Sequence, residues 1–171
     1  VAVFLGAQMP KKESYIKQVI KTAELIGQKG HSLVFGGSSS GTMAILAKAA
    51  KESGAHITGI IPEFFKDIAD KHNDVLEVVP TMGVRKERMA ELSDLFIILP
   101  GGLGTLEEAA DVISWKRMGI IKGKTIFVSY EGFYDSIETV VNRMIEEEFI
   151  LPKVKEDIIF VKDASEIEAY L

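Results

Sequence analysis

One stretch constrains this chain more than any other: Phe96-Ile97-Ile98-Leu99-Pro100-Gly101-Gly102-Leu103-Gly104-Thr105-Leu106-Glu107-Glu108, an apolar run that empties into glycines and restarts with acidic residues. The run from Phe96 to Leu99 does not alternate, so it reads as a strand covered on both faces, the parallel-sheet case. Pro100 cannot donate to a ladder and ends it. The glycines let main-chain N–H groups approach a ligand with no Cβ in the way, and a helix starting there aims its free amides and positive dipole end at the same spot. Phosphate or carboxylate suits such a place. Taken alone, the stretch also fits a tight strand-to-helix turn with a capped helix.

Strand-like runs recur at Val1 to Leu5, Leu33 to Phe35, Ile57 to Ile61, Val75 to Val79, Leu95 to Leu99, Thr125 to Val128 and Ile158 to Val161. Between most of them lie helical periods. Ile16, Val19, Ile20, Ala23 and Ile26 form one apolar stripe closed by Gly30, and Ile137, Val140, Val141, Met144 and Ile145 form another. Ser165 and Glu168 have capping-box spacing for a short last helix. Strands alternating with helices predict an α/β doubly wound parallel sheet of about seven strands with helices on both faces, where ligands bind at the carboxyl ends of strands. No linker interrupts residues 1–171, and 47% hydrophobic residues can fill the core of a single domain.

Composition narrows the partners. Twenty Lys and Arg against twenty-five Asp and Glu leave a net charge of -5, with no basic run, so no nucleic acid is expected and a small molecule is. The absence of cysteine excludes disulfides and thiolate metal sites and suits a cytoplasmic protein. The longest apolar runs are strand-sized, so no membrane span is expected. The chain opens at Val1 inside a strand, so a short preceding segment is expected. His31, His56 and His72 are scattered without ligand spacing, and no metal is expected.

Three glycine-bearing loops follow strands. Gly6-Ala7-Gln8 alone is an ordinary turn. Gly36-Gly37-Ser38-Ser39-Ser40-Gly41-Thr42 nears a P-loop but lacks its lysine, which disfavours a triphosphate and leaves amides and hydroxyls suited to one phosphate. The third is the run described first. Upstream of it, Met82, Arg85, Met89 and Leu92 share a helical face, and an arginine on an inward stripe needs a carboxylate or phosphate partner. Glu91 is one structural candidate for that partner. After Thr105, Glu108, Asp111 and Trp115 stand one above another, while Glu107 points roughly 100° away. One glutamate can therefore face a crevice while the other caps or meets solvent. Trp115 and Met118 read as core or subunit contact rather than a base-stacking platform.

Arg85-Lys86, the run Pro100 to Glu108, and Trp115-Lys116-Arg117-Met118-Gly119 together resemble the LOG (Lonely Guy) family of cytokinin riboside 5'-monophosphate phosphoribohydrolases, whose members are often labelled lysine decarboxylase-like. Val3-Phe4-Leu5-Gly6, Tyr15 and Gly132-Phe133-Tyr134-Asp135 add to the likeness, which spans nearly the whole chain. The resemblance implies a Rossmann-like homodimer, without cofactor, that hydrolyses a nucleoside 5'-monophosphate such as AMP or a cytokinin ribotide to free base and ribose 5-phosphate. Arg85 and Glu108 would be the catalytic pair. Gly36, Gly37, Ser38, Met82, Lys86, Gly101, Gly102, Leu103, Gly104 and Thr105 would bind substrate.

A carboxylate beside the ribose suits that reaction, because glycosidic cleavage builds oxocarbenium charge. Ala7, Ser38, Gly83 and Ala44 stand where the family pattern has other residues, at substrate contacts rather than at Arg85 or Glu108. A non-catalytic carrier of a phosphorylated cofactor, like the molybdenum-cofactor carriers that resemble this family, is the alternative. A pyridoxal-dependent decarboxylase would need a lysine constellation that the sequence does not offer.

Overall fold

The computed structural model describes residues 1–171. Seven strands, β1 (Ala2–Phe4), β2 (Leu33–Phe35), β3 (Ile57–Pro62), β4 (Val75–Val79), β5 (Leu95–Ile98), β6 (Lys124–Val128) and β7 (Ile158–Val161), form one sheet in the order β4-β3-β2-β1-β5-β6-β7. Every pairing is parallel, with Ala2 opposite Val34 on one side and opposite Phe96 on the other. The chain winds outward from β1 to β4, returns to lay β5 against β1, and winds the opposite way. The β1/β5 boundary is therefore the topological switch point.

The helices are α1 (Glu13–Gln28), α2 (Thr42–Glu52), α3 (Met82–Glu91), α4 (Leu103–Arg117) and α5 (Asp135–Glu146). Successive residues of the central strands feed opposite faces, as strand geometry requires. Val3, Leu5, Ile97 and Leu99 pack under α1 and α2, whose Val19, Ala23, Ile26, Leu46 and Ala50 complete that core. Ala2, Phe4, Phe96 and Ile98 pack under α3 and α4 with Met89, Ala109 and Val112. This double burial explains why β5 carries no polar alternation. No helix is long and apolar enough to cross a membrane.

The crossover from β3 to β4 carries only a 3-10 helix, Glu63–Ile68, and one local expectation changes. At the chain end, Ala164–Tyr170 is also 3-10, and its cap is Asp163, which accepts from the Ser165 amide at 2.8 Å. Ser165 donates its hydroxyl to Asp163 as well, and Glu168 pairs with Lys29 at 2.8 Å, so the Ser165/Glu168 capping box does not form. An aspartate two residues earlier, Asp163, supplies the cap acceptor instead.

Candidate active site

Two of the glycine loops meet at the switch point. Gly101, after β5, lies so close to Gly6, after β1, that a Cβ on Gly101 would stand 2.9 Å from the Gly6 nitrogen and overlap the Thr105 hydroxyl. Only glycine permits that approach. The carbonyl of Gly6 also accepts the Thr42 hydroxyl at 2.5 Å, tying the second loop to the first. Gly6-Ala7-Gln8, an ordinary turn by sequence, thus forms part of the cavity wall.

Helix α4 starts at Leu103 behind Gly102, and no side chain caps it. Its first-turn amides have no intrahelical acceptors. Thr105, Glu108, Ala109 and Val112 are its buried residues, the spacing of one inward stripe. Glu108 therefore points inward while Glu107, one residue earlier, points to the rim.

Helix α3 is capped by the Thr81 hydroxyl, which accepts from the Val84 amide at 3.2 Å, and turns Arg85 and Met89 inward. Arg85 Nη1 donates to Glu108 Oε1 at 2.7 Å, and its Nε donates to the Ile60 carbonyl at 3.0 Å. Both side chains of the pair are buried, each residue 8% exposed. Burial pushes the Glu108 carboxyl above its ordinary value, against the opposing pull of Arg85. Arg85 Nη2 lies against Gly36 and donates to no protein atom. Glu91, the other candidate partner by sequence, bonds Arg88 instead, at 3.0 Å.

A cavity of about 620 Å³ opens over this pair at the carboxyl ends of β1, β2, β3 and β5. Gly36, Ser38, Met82, Arg85, Gly101, Gly102, Gly104, Thr105 and Glu108 all line it. Three candidate residues do not. Gly37 carries its carbonyl to the Asp70 amide at 2.7 Å and the Asn73 side chain at 3.1 Å. Leu103 is 85% exposed beside the loop. Lys86 is spent on α4, reaching Glu107 at 2.8 Å and Asp111 at 2.5 Å, which makes it a staple between α3 and α4. The motif pairs Lys86 with Arg85 in sequence, but successive helical residues point about 100° apart.

Sequence reading missed the apolar wall: Met9, Pro10, Phe65, Ile68 and Phe133. These sit on loops and a 3-10 turn, where no periodicity marks an inward face. It also assigned no role to Tyr134, 1% exposed. The Tyr134 hydroxyl donates to the Leu99 carbonyl at 2.8 Å, bracing from below the strand end that leads into the third glycine loop. Burial raises this phenol well above its usual range, so it stays protonated as a donor.

The family described as "Possible lysine decarboxylase" matches residues 43–171. The cytokinin riboside 5'-monophosphate phosphoribohydrolase LOG7 of Arabidopsis thaliana is 33% identical over 169 residues, covering 98% of this chain and 78% of its own length. LOG3 of the same plant, of the same description, is 34% identical over 169 residues, covering 98% and 79%. Among solved structures, the molybdenum cofactor binding protein of Rippkaea orientalis aligns with a TM-score of 0.75 at 18% identity, covering 99% of this chain and 93% of that one. The Moco carrier protein of Chlamydomonas reinhardtii aligns at 0.76 and 19% identity, covering 99% and 92%. At those identities the likeness extends to the fold.

Proposed function

The chain belongs to the LOG family of cytokinin riboside 5'-monophosphate phosphoribohydrolases, and we propose that it hydrolyses the N-glycosidic bond of a nucleoside 5'-monophosphate, AMP or an N6-substituted adenine ribotide, to free base and ribose 5-phosphate. The observation that carries this reading is the buried 2.7 Å pair of Arg85 and Glu108 opening on a cavity beside the uncapped start of α4.

The 5'-phosphate sits on the amides of the Gly101-to-Thr105 turn, where unpaired donors and the helix dipole favour an anion. Holding the phosphate there positions the ribose over Glu108, so remote binding energy orients the reacting carbon. As C1' gains positive charge, the Glu108 carboxylate stabilises it and takes a proton from the attacking water. Arg85 orients Glu108 and favours its ionised form, and its free Nη2 is available to the substrate. The apolar wall receives the base and any hydrophobic substituent on it.

No lysine lines the cavity, so nothing there could form the Schiff base that a pyridoxal-dependent lysine decarboxylase needs. A carrier role rests on a likeness of fold, whereas the relatives above 30% identity are hydrolases. Incubation with AMP and with isopentenyladenine ribotide, followed by measurement of ribose 5-phosphate, decides between them. Product from either supports the hydrolase; no product from any nucleoside monophosphate, with tight binding of another phosphorylated ligand, supports the carrier.

The same reading includes a homodimer. Helix α5 buries none of its residues although its apolar positions form one stripe, and Val140 is 49% exposed within it. Phe149, at 75%, and Leu151 prolong the apolar surface past the helix end. A second copy of the chain would cover it.

A further inference from the structure

We propose that this site cleaves pyridinium ribonucleoside 5'-monophosphates, whose base departs as a neutral ring, more readily than purine or pyrimidine ribotides, whose base needs a proton in order to leave. The inference rests on the reading of Arg85 and Glu108 as the glycosidic machinery and specifies the substrate class that this machinery favours.

Four cavity-lining side chains carry a charge or a dissociable proton: Tyr15, Arg85, Glu107 and Glu108. Arg85 cannot release a proton at any working pH. Glu107 is exposed and bonded to Lys86 at 2.8 Å, which holds its carboxyl below the usual range, so it is not an acid. Glycosidases that expel a neutral leaving group divide the work between two carboxyl groups, one protonating the departing atom and one serving the water or the developing cation. This cavity offers one buried carboxyl. Glu108 cannot be proton donor and proton acceptor in the same step.

A pyridinium ribotide needs only the second role. Water oxygen attacks C1', the C1'–N1 bond breaks, and its electron pair returns to the ring nitrogen, which leaves uncharged. The water proton passes to Glu108 and then to solvent. The products are ribose 5-phosphate, the neutral pyridine base and one proton, and no co-reactant is consumed. A purine ribotide breaks the same bond but must gain a proton on the base, supplied here by solvent.

The wall where the base would lie also suits a flat cation. Tyr15 stands edge-on to Phe133, with ring centroids 6.0 Å apart, and Phe65, Met43 and Met82 line the same cavity. Aromatic faces and polarisable sulfur attract a cationic ring without a charged partner.

The test compares nicotinamide mononucleotide with AMP on the full chain, by ribose 5-phosphate release across pH. The expected kcat/KM for nicotinamide mononucleotide exceeds that for AMP by about 10²-fold, the low end of what a general acid supplies. Its profile has an acid limb alone, while that of AMP also falls on the alkaline side as solvent protonation of the base is lost. Cleavage of AMP with nicotinamide mononucleotide cleaved more slowly or not at all overturns the inference and leaves the hydrolase reading intact. Cleavage of neither overturns the inference, and cleavage of neither with none of isopentenyladenine ribotide overturns both readings. Tyr15→Phe is expected to change both substrates by the same factor; loss confined to AMP would identify Tyr15 as a leaving-group acid and overturn the proposal.

Discussion

Gly36 lies beneath the Arg85 guanidinium so closely that a Cβ on it would overlap Nη2 and stand 3.2 Å from both Cζ and the Met43 sulfur. The glycine of the second loop thus serves an arginine 49 residues later, from 36 to 85. Gly36→Ala is expected to displace the guanidinium and lower kcat/KM by about 10²-fold, the size of effect that a misplacement of about 1 Å produces. Steady-state kinetics beside a thermal melt checks this; a melt that collapses with the rate would make the effect one of folding.

Glu108→Gln keeps an oxygen to accept from Arg85 Nη1 and removes the charge. Turnover should fall by about 10²-fold or more, with affinity for ribose 5-phosphate retained, as calorimetric titration would show. Loss of both together would assign this side chain to the architecture of the cavity.

The raised Glu108 carboxyl has a pH signature. Its ordinary value is 4.5. Since the proposed mechanism uses the ionised form, the acid limb of kcat/KM should lie above that value. For stability the sign is opposite: the native state holds this proton more tightly than the unfolded chain. The contribution is complete below 4.5 and is lost as pH rises through the native value. Melting of the wild type and Glu108→Gln across that window should diverge in favour of the variant as pH increases. Arg85→Met removes the influence that holds the carboxyl down, so it should move the acid limb higher, and breaking the buried pair should cost about 3–5 kcal/mol.

Tyr134→Phe removes the donor to Leu99 without changing the ring. An unsatisfied buried partner costs about 1–3 kcal/mol. The loop above should loosen its grip on phosphate, raising KM for AMP more than it changes kcat. An unchanged KM with a lowered melting temperature would confine Tyr134 to stability.

A charge on the exposed stripe tests the dimer. Met144→Glu should shift the sedimentation coefficient of the protein from dimer to monomer while circular dichroism stays constant. A wild type that already sediments as a monomer would remove the dimer from the reading.

The seven strands were legible because each is a short run dominated by apolar residues, whereas their order in the sheet comes from the structure. The inward turn of Arg85 was legible for a different reason: a charge placed on a stripe that must face inward demands a partner. The choice of Glu108 over Glu107 comes from the family resemblance, since helical spacing alone says only that the two diverge. Lys86 follows Arg85 in the motif yet reaches Glu107 and Asp111, because adjacency in a motif is not adjacency in space on a helix. The aromatic wall and the support from Tyr134 were hidden, since loop residues reach a site through tertiary packing that no period records. The β3-to-β4 crossover carries a 3-10 helix and no α-helix, and its Phe64 and Phe65 bring hydrophobicity without a 3.6-residue rhythm.

The lodging of β5 beside β1, which pairs Ala2 with Phe96, has a consequence for biosynthesis. A nascent chain that has not yet delivered β5 owns the first two glycine loops but neither the third nor Glu108, so it lacks half of the cavity wall. Closing so distant a contact is slow compared with local helix formation. Completion of the cavity is therefore a late event, reached when the two halves of the sheet have joined.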